Sequence, residues 1–163
     1  MMAELKPPII LVGNARSGTT MTLQCFGVLD ALVSWHEPRT IWTSGIRDLG
    51  HDRFTAEQAT PQVVHRVRHD FLEYQEAHGG RRIAEKTPSN SLRIPFIRAV
   101  FSEARFLHLY RDGRDSVSSA LRFWTRPPET RRIVRRLKET RVTDWPRHLP
   151  RFLREHVGLR LGL

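Results

Sequence analysis

The run Ile9-Ile10-Leu11-Val12, followed by Gly13-Asn14-Ala15-Arg16-Ser17-Gly18-Thr19-Thr20, constrains the fold more than any other stretch of this chain. Consecutive apolar residues rich in β-branching read as a buried strand, and they run straight into a glycine. A second glycine follows five positions later, after which Met21 to Ala31 reads as a helix. A buried strand, a tight turn and a helix N-terminus are the parts of a phosphate cradle. Backbone N–H groups converge there, and the helix dipole adds partial positive charge. The spacing Gly13-x4-Gly18 is that of a nucleotidase phosphate loop, yet Thr19 stands where such a loop carries lysine.

Composition narrows the class. A chain of 163 residues is one domain, or part of one, and large enough for a real core. With 39% apolar and 27% charged residues it reads as globular rather than disordered. No run approaches the ~18 apolar residues of a membrane span. Met1 to Pro8 holds Glu4, Lys6 and two prolines but no apolar segment, so it does not read as a secretory signal. The single cysteine, Cys25, excludes an internal disulfide framework and points to a reducing, cytoplasmic setting. Beside Phe26 in the first helix, Cys25 is expected to be a buried small hydrophobe. Charge is uneven: residues 126–163 carry a net +7 and residues 1–125 only +3. A basic tail suits nucleic acid, anionic lipid or an acidic substrate, and equally a solvated Arg-rich helix.

Taken in order, the chain alternates strands and helices. Strands are predicted at Ile9–Gly13, Val33–Glu37, Arg82–Lys86 and Arg105–Arg111. The first helix runs from Thr19 to about Ala31, with Met21, Leu23, Phe26, Val28 and Leu29 facing the sheet. Thr40 to Pro61 reads as a long, substrate-facing loop with at most a helical turn. Pro61 to His78 is the clearest amphipathic helix, its stripe formed by Val63, Val64, Val67, Phe71 and Tyr74. Asn90 or Ser91 is expected to cap the next helix, which carries Leu92, Phe96, Ile97, Val100 and Phe101. A last helix reaches about Trp124, and basic helical segments follow at about 129–142 and 149–157 around Trp145-Pro146. The fold class is α/β, a parallel sheet flanked by helices. Residues 1–125 read as the core and 126–163 as a basic helical tail or the incomplete remainder of the same domain.

In such sheets ligands sit at the carboxyl ends of the strands, here Gly13, Glu37, Lys86 and Arg111. Arg16, Ser17, Thr19 and Thr20 surround the first loop with a cation and three hydroxyls. Arg111 ends the fourth strand and Ser119 sits eight residues on, so the pair can converge on a second anion, with Asp115 capping the turn. Arg111 and Arg114 flank Asp112, which suits an anion better than a metal ion, and no cluster with metal-ligand spacing stands out.

At this point the residues match a family. Val12-Gly13-Asn14-Ala15-Arg16-Ser17-Gly18-Thr19-Thr20 resembles the 5′-phosphosulfate loop of sulfotransferases that use 3′-phosphoadenosine 5′-phosphosulfate (PAPS). The stretch Arg111 to Ser119 resembles their 3′-phosphate motif, and Glu85-Lys86-Thr87-Pro88 a segment that recurs between the two in carbohydrate and bacterial members. The resemblance implies that Arg16, Ser17, Gly18, Thr19 and Thr20 hold the 5′-phosphosulfate, and Arg111 and Ser119 the 3′-phosphate. It implies no metal. Glu37-Pro38-Arg39-Thr40-Ile41 is similar to the pattern around the general base of tyrosylprotein and several bacterial members.

The implied reaction is in-line transfer of a sulfuryl group to an acceptor hydroxyl on a carbohydrate, a small molecule or tyrosine. Glu37 is the expected base, its pKa raised by Trp35 and Trp42. His36 is the runner-up, pointed to the opposite face by strand alternation. Arg16, the loop N–H groups and Lys86 stabilise charge on the departing phosphate. Two other readings stand beside this one: a P-loop kinase or nucleotide-binding protein, disfavoured by Thr19, and a catalytically incomplete anion- or nucleic-acid-binding module. The tail has no groove-reading motif and few aromatics, so no specific nucleic acid is expected. Resembling enzymes commonly continue with another strand, more helices and a basic segment closing over the adenosine. That part is absent or diverged here, which reads as a fragment, a truncated product or an unusually small member.

Overall fold

The computed structural model describes residues 4–46 and 51–124. They form strands β1 (Ile9–Val12), β2 (Leu32–His36), β3 (Arg82–Lys86) and β4 (Arg105–His108). The helices are α1 (Thr19–Gly27), α2 (Arg39–Thr43), α3 (Pro61–Ala77), α4 (Ile94–Val100) and α5 (Gly113–Trp124), with 3-10 turns at Ala56–Gln58 and Pro88–Leu92. The four strands are parallel and lie in the order β2-β3-β1-β4. The α/β fold read from the sequence is therefore the observed one, and the expected basic helices after residue 124 lie outside the described residues. Two crossovers skip a strand: β1 leads past β3 to β2, and β3 leads past β1 to β4. The chain thus reverses direction around β1, which opens a crevice at its carboxyl end.

Strand alternation divides the interior. Ile10, Val12, Val33 and Ile83 face a core filled by Trp42, Phe54, Val63, Val67, Phe71, Phe96 and Phe101. Leu11 and Ala84 face the other way, onto Leu23 of α1. Edge-to-face aromatic contacts knit the larger core, with Trp42 against Phe71, Phe96 and Phe101 at ring separations of 5.3, 6.5 and 6.2 Å. The stripe predicted for α3 is the packed one, and Thr60 caps that helix by accepting a bond from the Val63 N–H, with Pro61 in the first turn.

Several elements differ from the sequence expectation. Helix α1 ends at Gly27, because the chain turns through Phe26, Leu29 and Leu32 by backbone bonds to enter β2. Only one narrow face of α1 meets the sheet, so Met21 is exposed and Cys25 is exposed rather than buried, while Val28 and Leu29 are exposed past the helix end. Strand β4 stops at His108, since its partner β1 stops at Val12 and the Leu109 N–H bond to the Val12 carbonyl is the last tie. The 40–61 stretch is partly ordered by burial: Trp42 and Phe54 pull α2 and the Ala56–Gln58 turn onto the core. Leu92 is exposed, and neither Asn90 nor Ser91 caps α4, which is preceded by Arg93 with no side-chain cap. The cap of α5 comes from Asp112, whose carboxylate accepts from the Arg114 N–H at 2.8 Å, and not from Asp115.

Candidate functional site

The loop after β1 is shaped by two glycines for different reasons. A Cβ on Gly13 would lie 2.7 Å from the Leu109 carbonyl oxygen and 2.8 Å from Ser17 Oγ, so the loop closes only over a bare backbone. Gly18 has open space around it but sits at φ +99°, where a side chain is strained. Ser17 bonds back to the Asn14 carbonyl through both its N–H (3.1 Å) and its hydroxyl (2.7 Å), which turns the chain toward α1. Arg16 and Thr20 are exposed at this turn, Ser17 is half-buried, and Thr19 is buried as the first residue of α1.

Here the sheet brings distant residues together. The Arg16 Nε–H donates to Ser119 Oγ on α5 at 3.1 Å, across 103 residues of chain. Arg111 donates from Nη1 to the Arg16 carbonyl at 3.1 Å. The Arg16 guanidinium also lies 4.9 Å from the Phe123 ring centroid, a cation–π contact that limits its freedom. Arg16, Arg111 and Ser119 thus form one cluster beyond the paired ends of β1 and β4, and every side chain in it can donate to an anion.

A second cluster stands at the ends of β2 and β3. Lys86 Nζ donates to Glu37 Oε1 at 2.7 Å, and Arg39 reaches Glu37 Oε2 at 3.2 Å. Burial pushes the Glu37 carboxyl pKa up, but the Lys86 bond and charge, with lesser help from Arg39 and His36, pull it down to about 2. This corrects the expected rise. Trp42 turns into the core instead of toward Glu37, and two cations occupy the carboxylate. Strand alternation does not orient Glu37 relative to His36 either, because Glu37 lies past the strand at φ +54°. Among the described residues, Arg16 (φ +72°) and Glu37 are the two non-glycine positions with positive φ, and both are candidate site residues in the sequence. Such strain persists where surrounding contacts over-determine it, and it concentrates at functional sites.

Between the clusters runs the central strand, with Leu11 paired to Lys86 and Val12 to His108. A sequence model of the Sulfotransferase family matches residues 7–160. The chain belongs to that family. Searches of curated proteins and of solved structures each found no match. Membership makes this a sulfuryl transferase in the general sense, and the parallel sheet with its glycine loop is the fold that the family's resemblance implied. The family generally takes its sulfuryl group from PAPS.

This sulfotransferase also carries site-adjacent residues to which the sequence reading assigned no role. Arg39 is one, visible only once Glu37 was folded beside it. Glu85 is another: it is fully buried and accepts from Trp42, Thr87 and Asn90. Its signal in the sequence was a carboxylate at a core-facing strand position. Elsewhere, His69, Asp70 and Glu73 bring one ligand atom each within 4.8 Å of one another on α3, a grouping the sequence reading did not pick out and one remote in sequence from the loops above. Among the described residues no helix is long and apolar enough to cross a membrane.

Proposed function

We propose that the chain is a PAPS-dependent sulfotransferase acting on an acceptor hydroxyl, with Glu37 as the general base. The observation that carries this reading is the bonding of Arg16 to both Ser119 and Arg111, because it unites the two motifs expected to hold the 5′ and 3′ ends of one donor. The fit is chemical as well as positional. The Gly13 turn closes over a bare backbone, and the surrounding groups are donors without a lysine after Gly18. Arg16, Ser17, Gly18, Thr19 and Thr20 would hold the 5′-phosphosulfate, and Arg111 and Ser119 the 3′-phosphate.

The donor supplies the sulfuryl group: an acceptor O–S bond forms as the S–O bond to the 5′-phosphate breaks. Glu37 takes the hydroxyl proton. In the resting arrangement it is a poor base, because Lys86 and Arg39 hold its pKa at about 2. Lys86 therefore has two tasks. By turning from Glu37 toward the donor anion it places charge where the leaving phosphate develops it, and it uncovers the effect of burial, which restores basicity to Glu37. Arg16 and the loop N–H groups share the first task, and loss of one such donor typically costs ~3 kcal/mol, about a hundredfold in rate. The acceptor is a carbohydrate, a small molecule or tyrosine. The single cysteine supports a reducing, cytoplasmic setting. Residues 126–163 are read as a basic tail or as a remainder of the same domain, and the family match, which runs to residue 160, supports the second.

Calorimetry and melting with PAP, the desulfated product, test the donor assignment. PAP should bind and raise the melting temperature, and ATP–Mg²⁺ should not. Stabilisation by ATP–Mg²⁺ without response to PAP would overturn the reading in favour of a P-loop kinase.

A further inference from the structure

The carboxylate of Glu85 has no part in the mechanism above, yet it is fully buried and accepts three side-chain hydrogen bonds. It stands on β3 next to Lys86, and consecutive strand residues point to opposite faces. On one face Lys86 holds Glu37. On the other, Glu85 Oε1 accepts from Trp42 Nε1 at 3.2 Å and from the Thr87 hydroxyl at 2.5 Å, and Oε2 accepts from Asn90 Nδ2 at 2.5 Å. Trp42 lies on α2, five residues past Glu37, and the Glu37 N–H itself donates to the Lys86 carbonyl at 2.9 Å. Residues 37–42 therefore straddle the carboxyl end of β3, pinned on one side by the Glu37–Lys86 pair and on the other by Trp42–Glu85.

The polarity of this network is dictated from outside. Arg93, 1% exposed, donates from Nε and Nη2 to Asn90 Oδ1 at 3.0 and 2.9 Å. Arginine cannot accept, so the Asn90 oxygen must face it and the Asn90 amide N–H must face Glu85. The Trp42 indole can only donate as well. Position 85 must accept on both oxygens, and above about pH 7, where Glu85 is ionised, it does so without carrying a donor of its own. We infer that Glu85 is a positioning residue, holding Glu37 in register with Lys86 by tying α2 and the Pro88–Leu92 turn to the back of β3. The inference depends on the sulfotransferase reading only for its kinetic arm.

The test is a polarity swap, measured above neutral pH. Glu85→Gln sets an amide N–H against the Asn90 N–H. The pair Glu85→Gln with Asn90→Asp restores every bond, because the introduced amide then donates to an introduced carboxylate that accepts from Arg93. The first readout, taken at the same pH, is the Glu37 carboxyl carbon resonance, which reports its ion pair with Lys86. It is expected at the wild-type position in the swap. In Glu85→Gln it should shift toward its position in Lys86→Met as the Lys86 contact slackens. The second readout is kinetic: kcat should fall by about a hundredfold in Glu85→Gln, as for a slightly misplaced reacting group, with unchanged PAP affinity, and should recover in the swap. Trp42→Phe, which keeps an aromatic ring but loses the donor, should shift the Glu37 resonance in the same direction, and it replaces Glu85→Gln should that variant not fold. An unmoved Glu37 resonance in Glu85→Gln or Trp42→Phe, or a loss of kcat that the folded swap fails to restore, would overturn the inference. Absence of transfer by the wild-type protein would instead count against PAPS chemistry, and the resonance would still decide the role of Glu85.

Discussion

Two glutamates within this small site are driven in opposite directions by their surroundings. Glu37 is drawn down to about 2 from 4.5 by Lys86, whereas burial lifts Glu85 to about 7 against the pull of its three donors and Arg93. Their effects on stability have opposite signs. The Glu37 contribution is present above its ordinary pKa and is lost as pH falls through about 2. The Glu85 contribution is complete below its ordinary pKa and is lost as pH rises through about 7. Lys86→Met should expose this balance, because it leaves a half-buried carboxylate with only Arg39 and the lesser influence of His36. We expect a loss of about 3 kcal/mol near neutrality, measured by urea unfolding, that shrinks at about pH 4 as Glu37 takes up a proton. A loss independent of pH would mean that the Lys86 stem, not its charge, matters there. Glu37→Gln should abolish sulfuryl transfer with PAP binding intact, and retained turnover would hand the base role to another group. The place of Glu37 among the strand-end residues was legible because it follows a strand near a recognisable loop. Its basicity was not, because it is decided by a lysine 49 residues away and by the indole that turned elsewhere.

At the scale of single elements, the loop after β1 makes two separable demands. Gly13→Ala should be the more damaging change, since the new Cβ meets a backbone oxygen at 2.7 Å, and we expect a loss of about 1–3 kcal/mol together with PAP affinity. Gly18→Ala meets no atom within 4 Å and carries only the conformational cost, about 1 kcal/mol. Denaturant unfolding of the two variants checks the order, and equal or reversed costs would show that packing does not close the loop. Strand β3 and helix α3 were readable almost to the residue, the first from a run closed by Thr87-Pro88 and the second from its long apolar stripe. Helix α2 was not, because five residues are too few to show a period and what orders them is the burial of Trp42. Asn90 was misread for a related reason. Its type suits a cap, but a buried arginine and a buried glutamate claim both ends of its amide.

Across the whole molecule, the residues proposed to bind the donor follow the first and last described strands. PAP should therefore slow amide hydrogen exchange in the 13–20 loop and in α5 together, since Arg16 joins them through Ser119. Protection confined to one of the two would separate the motifs and weaken the assignment of a single ligand. The same strand order has a consequence for how the chain comes off the ribosome. Strand β1 is made first but sits in the middle, and both of its neighbours arrive late: Ile9 pairs with Ala84 on one side and with Arg105 on the other. Strand β2 cannot help, because it pairs with β3 alone. No two of the four described strands can meet until β3 has been synthesised, so an apolar strand waits unpaired while the chain between Val12 and Arg82 is translated. Such long-range closure is slow and exposed to misassociation, and the half-made protein is where this fold is most vulnerable.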